Sequence, residues 1–173
     1  VNLGLIKDKD DLEELCDLSV RALDEIIDYQ QYPVEAARVS TQARRSLGIG
    51  YIGLAHYLAK NKVKYDDKQA LKVVDEITEA FQYYLLKASN ILAKEKGKCE
   101  YFDRTKYSDG ILPIDTYKKD LDEIFKRKLS YDWTTLRKNI RNNGLRHSTL
   151  SAQMPSESSS IVSNATNGVE PPR

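Results

Sequence analysis

The chain has 173 residues, 40% apolar and 31% charged, with 27 Lys plus Arg against 26 Asp plus Glu for a formal charge of +1. That length fits one domain with a real core, and the mixed composition excludes collagenous and broadly disordered classes. The balanced charge supplies no global basic field for nucleic acid or an anionic membrane surface, and no long uncharged apolar run offers a membrane span.

Along the chain, a first strand is expected over residues 2–6. From Asp8 onward Leu12, Leu15, Cys16, Leu23, Ile26 and Ile27 recur at helical spacing, with acids crowding the first turns, and the pattern stops near Tyr32 and Pro33. A second helix is expected over 51–60, after Gly48-Ile49-Gly50. A third runs over 67–96 with Leu71, Val74, Ile77, Phe81, Tyr84, Leu85, Ala88 and Leu92 on one stripe and Gly97 as its stop. After a looped stretch containing Phe102, Gly110 and Pro113, helices are expected over 116–126 and from Asp132, with Trp133, Leu136 and Ile140 inward and Gly144 as cap. A second strand is expected over 145–153. Two short strands cannot cover the helix stripes, so both are expected to pair with strands outside this chain. The chain opens without Met and stops abruptly, which reads as a piece of a larger protein.

Most chemical motifs dissolve on inspection. Two cysteines, Cys16 and Cys99, form neither a disulfide framework nor a metal motif and point to an intracellular, cytoplasmic setting. Gly48-Ile49-Gly50-Tyr51-Ile52-Gly53 matches G-x-G-x-x-G, but no buried apolar strand precedes it and no acid-ended strand follows, so close backbone packing is the better reading. Arg137, Lys138, Arg141 and Arg146 lack interleaved aromatics and read as a solvated face. His56 and His147 are isolated, and helix packing accounts for the eleven tyrosines. Over 154–163, by contrast, a strand breaks at Pro155 into Ser156, Glu157, Ser158, Ser159 and Ser160 and then an apolar run. Unpaired N–H groups and hydroxyls at such a helix start suit a phosphate, while an ordinary serine cap explains the same composition. Glu157 would repel a phosphate, and is better suited to a sugar hydroxyl.

The run LSAQMPSESSS at 150–160, followed by SNATNGVEPPR at 163–173, resembles the substrate-phosphate loop of the class I ribonucleotide reductase large subunit. The resemblance spans the chain, through NLG at 2–4, RRSLG at 44–48, YYLLKAS at 83–89 and GILPIDTYKKD at 110–120. It implies an α/β fold: a mostly helical fragment of a ten-stranded α/β barrel completed by other segments. The diphosphate of a ribonucleoside diphosphate would rest on Pro155, Ser156, Glu157, Ser158, Ser159 and Ser160, with Arg173 helping to hold the phosphates or the closed barrel. Serine stands at Ser158 where relatives often carry threonine.

The same resemblance implies what this piece lacks. The family's thiyl cysteine, redox cysteine pair and effector sites would precede Asn2, and its tyrosine relay and tail cysteines would follow Arg173. Cys16 and Cys99 match no catalytic position. The chain is therefore expected to bind no cofactor itself and to be inactive alone. It would work with the remaining large-subunit segments, with a small subunit carrying the metal and radical cofactor, and with nucleotide effectors bound elsewhere. A split gene and an excised piece both fit, and a reductase-derived helical scaffold without catalysis is the rival reading.

Overall fold

The computed structural model describes residues 1–171. Helix α1 (Asp11–Tyr29) carries Asp11, Glu13 and Glu14 in its first turn, where carboxylates meet the positive end of the helix dipole. Leu12, Cys16, Val20, Asp24 and Ile27 form its buried side. Leu15 and Ile26, apolar in the same pattern, are 36% and 52% exposed. Helix α2 (Glu35–Arg44) buries only Ala43 among its own residues, which is why no periodic stripe announced it. Helix α3 (Leu54–Lys60) starts later than expected because Tyr51 and Ile52 are extended and Gly53 turns the chain at φ 79°.

Helix α4 (Lys68–Lys96) is the spine, entered from Asp67 and left at Gly97 as its pattern predicted. The helix expected over 116–126 shrinks to the single turn α5 (Leu121–Ile124), none of whose residues is buried; without packing, so short a helix gains nothing from extension. Helix α6 (Trp133–Asn143) begins where the Asp132 carboxylate accepts the Thr135 N–H and ends at Gly144. Helix α7 (Glu157–Val162) closes the order. Short 3-10 turns occupy Leu3–Leu5, Phe102–Arg104 and Pro113–Asp115.

The expected strands are reduced to isolated bridges among the described residues: Asn2 pairs parallel with Ile52, and Ile49 pairs parallel with Ser151. The two expected strand regions thus find a common neighbour inside the chain, where the sequence pointed to partners outside it. Residues 47–52 lie between them, with Leu47 and Ile49 donating to Thr149 and Leu150 carbonyls at 2.9 Å, and Ile52 donating to Val1 at 2.8 Å. Parallel neighbours require long crossovers, which α1–α2 and α3–α6 supply.

Packing follows the helices: α1 lies on α4, α4 on α6, and the Leu3–Leu5 turn on α3. Leu85, Leu86, Leu92, Ile140, Leu145 and Leu150 are excluded from water. Glu79 on α4, 3% exposed, accepts N–H groups from Ser130 at 2.9 Å, Tyr131 at 3.3 Å and the Trp133 indole at 2.8 Å, tying the entrance of α6 to the spine.

Candidate functional site

The serine segment hangs from the third extended piece. Gln153 reaches back to Tyr51, donating to its carbonyl at 2.8 Å, and Met154 and Pro155 then turn outward and lie exposed. Ser156 is buried; its N–H donates to Asn167 Oδ1 at 2.9 Å and its hydroxyl to the Met154 carbonyl at 2.9 Å. Ser160, also buried, donates its N–H to the Ser156 carbonyl and its hydroxyl to that of Glu157, both at 2.8 Å. The Ser159 hydroxyl donates to Ser156 at 3.2 Å.

Between these anchors lie the spare donors. The N–H groups of Glu157, Ser158 and Ser159, and the Ser158 hydroxyl, take no acceptor among the described residues, and all three residues are exposed. Adjacent open N–H groups at a helix start are what an anion uses. The serines therefore divide: Ser158 offers both hydroxyl and amide, Ser159 offers its amide, and Ser156 and Ser160 hold the shape. Glu157 lines a groove of about 370 Å³ with Ser160, Ile161, Thr166, Asn167 and Glu170. Arg173 falls outside the described residues.

The glycine motif works by close approach. A Cβ on Gly50 would collide with the Ala152 carbonyl, and one on Gly53 would stand 2.7 Å from Asn2 Oδ1 in a left-handed backbone. The Gly53 N–H in turn holds the Thr166 carbonyl at 2.9 Å, fixing the segment that returns from α7. Two of the basic residues are committed internally, Arg137 to Asp115 at 2.6 Å and Arg141 to the Asp109 carbonyl at 2.7 Å, while Lys138 is exposed.

Sequence reasoning missed a second polar cluster. Ser89, His147 and Asp24 are each wholly buried, with Ser89 Oγ 2.9 Å from His147 Nδ1 and His147 Nε2 3.2 Å from Asp24 Oδ1. Arg45, in a left-handed backbone at φ 48°, adds Nε to Asp24 at 2.6 Å and a fork to Asp28 at 2.8 Å, and Arg146 approaches Asp24 at 3.3 Å. The order Ser-His-Asp is that of a hydrolytic triad, but with no exposure no substrate reaches Ser89.

Burial alone would raise the Asp24 carboxyl; hydrogen bonds from His147 and Arg45 and the charges of Arg45 and Arg146 outweigh it and hold the group below the carboxylate range. Burial lowers His147, against the pull of Asp24, so the ring is neutral at pH 7. Its Nε2–H then donates to Asp24, and Nδ1 accepts from Ser89. Nothing in sequence spacing brings residues 24, 45, 89 and 147 together.

Both cysteines are buried, and burial pushes the Cys16 thiol up to about 12 and raises Cys99 as well. Neither is a thiolate at neutral pH. Among the described residues no cluster of three or more His, Cys, Asp or Glu is arranged for a metal, and no helix is long and apolar enough to cross a membrane.

The chain is similar along its whole length to known proteins. The family model described as ribonucleotide reductase, barrel domain, matches residues 1–173. The ribonucleoside-diphosphate reductase subunit alpha of Buchnera aphidicola subsp. Schizaphis graminum is 61% identical over 173 residues, covering 100% of this chain and 23% of that protein. The Haemophilus influenzae subunit alpha is 63% identical over 172 residues, 99% of this chain and 23% of its own. The Escherichia coli ribonucleoside-diphosphate reductase 1 subunit alpha is 59% identical over 147 residues, 85% of this chain and 19% of its own. The chain thus spans about a quarter of the length of the relatives it matches.

Proposed function

The chain belongs to the barrel-domain family of the ribonucleotide reductase large subunit, and from that premise we propose that it supplies the substrate diphosphate cradle of a ribonucleoside-diphosphate reductase. The observation that carries the reading is the set of open donors on 157–159, three adjacent N–H groups with the Ser158 hydroxyl, on an exposed turn braced by buried serines. Such donors match the oxygens of a diphosphate, and a braced backbone loses little freedom on binding. Pro155 and Ser156 set the turn, Ser158 and Ser159 offer donors, Glu157 reaches toward a sugar hydroxyl from the neighbouring groove, and Ser160 anchors. Arg173, in the Pro-Pro-Arg run, adds a cation to the phosphates or the barrel closure.

In this reading the parallel pieces at 1–3, 47–52 and 149–152 are members of a ten-stranded α/β barrel finished by other large-subunit segments. The radical chemistry that makes deoxyribonucleotides belongs to the assembled cytoplasmic enzyme, with a small subunit supplying the metal and radical cofactor and nucleotide effectors binding elsewhere. Both thiols of this chain are buried and held protonated, so in this reading the reductant comes from other large-subunit segments.

The test is a large subunit carrying this segment, assembled with its small subunit. Ser158→Ala should raise KM for a ribonucleoside diphosphate about tenfold, the loss expected for one hydrogen bond to a charged group, and leave kcat within about twofold. In the same protein, inorganic pyrophosphate should slow hydrogen exchange at the amides of 157–159. An unchanged KM together with unprotected amides would sink the proposal.

A further inference from the structure

We infer that Asn167, eleven residues downstream of the serine turn, is a positioning residue that keeps the donors of 157–159 open; the inference rests on the phosphate-cradle reading above. Its Oδ1 accepts the Ser156 N–H at 2.9 Å, and because that partner can only donate, the amide orientation is set. Ser156 is 4% exposed, so no water replaces this acceptor without rearrangement. The bond fixes the residue at which extended chain becomes helix. The first N–H of the turn is satisfied sideways, and the next three take no acceptor among the described residues.

Asn167 can do this because the two residues before it are held. The Ala165 N–H donates to the Ser160 carbonyl at 2.9 Å, at the far end of α7. Thr166 is grasped by the start of α3: its carbonyl accepts from Gly53 at 2.9 Å and its hydroxyl from His56 at 3.4 Å. The return segment is thereby stitched to the packed body, and Asn167 passes that fixity to an otherwise exposed turn. A diphosphate bound by several N–H groups at once needs them placed to within about half an ångström, so a loosened Ser156 weakens all of them together.

The experiment uses the assembled reductase and two variants. Asn167→Ala should speed exchange of the Ser156 amide and raise KM for a ribonucleoside diphosphate about tenfold, with kcat within about twofold. Asn167→Asp keeps an acceptor at the same place and should restore Ser156 protection and bring KM back to within about threefold of the parent, the residue being the added charge. A KM in Asn167→Ala within twofold of the parent, or a loss confined to kcat and thermal stability, overturns the inference; if the alanine variant does not fold, failure of Asn167→Asp to protect Ser156 and hold KM near the parent overturns it. The parent protein separates this from the underlying reading. If inorganic pyrophosphate protects amides 157–159 in the parent and equally in Asn167→Ala, Asn167 alone is wrong; if it protects them in neither, the cradle itself is wrong.

Discussion

Ser89 with His147 and Asp24, and Ser156 through Ser160, use the same side chains to opposite ends. At the first cluster every polar atom meets a partner inside the protein: the carboxylate of Asp24 takes His147, Arg45 and Arg146, and the imidazole is bonded through both nitrogens. At the second, the buried serines are satisfied, while the exposed ones keep open amides and Ser158 an open hydroxyl as well. Residue types resembling a catalytic triad thus mark structure, and a modest run of serines marks the place where hydrogen-bonding capacity is left over at the surface. The lesson is to look for surplus donors, since a closed network has nothing to offer a ligand.

The sharpest way to break the contrast is Asp24→Ala. It leaves Arg45 and Arg146 without their buried counter-charge and should cost about 3–5 kcal/mol in urea unfolding. A cost below about 1 kcal/mol would mean that the cluster is not closed to water. Next is Gly50→Ala, where the new methyl meets the Ala152 carbonyl that lies just before the serine turn. Roughly 1–3 kcal/mol should be lost, measured the same way, because backbone must shift.

Acid should act on the first cluster and spare the second. His147 is lowered from its unfolded value of about 6.5, so its contribution is complete above that pH and fades as pH falls and the unfolded chain takes the proton first. Asp24, also lowered, adds the same sign of loss at still lower pH, below about 3.9. Unfolding free energy should therefore decline from pH 7 toward pH 5 by at most about 1.4 kcal/mol per unit, and His147→Gln should flatten that stretch. The smallest effect on stability belongs to Ser158→Ala, within about 0.5 kcal/mol, because its hydroxyl holds nothing in the protein. A larger loss would show that Ser158 is structural, and would blur the distinction between the two sites.

Much of the helical frame was legible from spacing. The α4 stripe from Ile77 onward, its Asp67 entrance and Gly97 exit, and the Asp132 to Gly144 bounds of α6 stand where pattern and caps placed them, while Leu71 at the start of the stripe lies exposed. α2 escaped because a helix that buries only Ala43 leaves no period to read. The 116–126 helix shortens to one turn because none of its apolar residues reaches a buried position. The central extended piece at 47–52 was hidden by its glycines, which look like a turn in sequence and serve instead to bring backbones together. The serine turn was visible as a proline break before hydroxyl residues. Which serines brace it and which remain open was not, since the bracing partners Asn167 and Thr166 reach it only through the fold.

Sequence alone determined the main helices and the proline break that opens the serine turn: helix periods and caps are local consequences of side-chain spacing and backbone valence, and the first N–H groups of any helix lack partners within it. Tertiary structure decided the rest. The Asp24 cluster draws on residues 24, 45, 89, 146 and 147, and the serine turn on residue 167, because burial and long-range hydrogen bonding depend on which distant elements meet, a quantity that no local pattern contains.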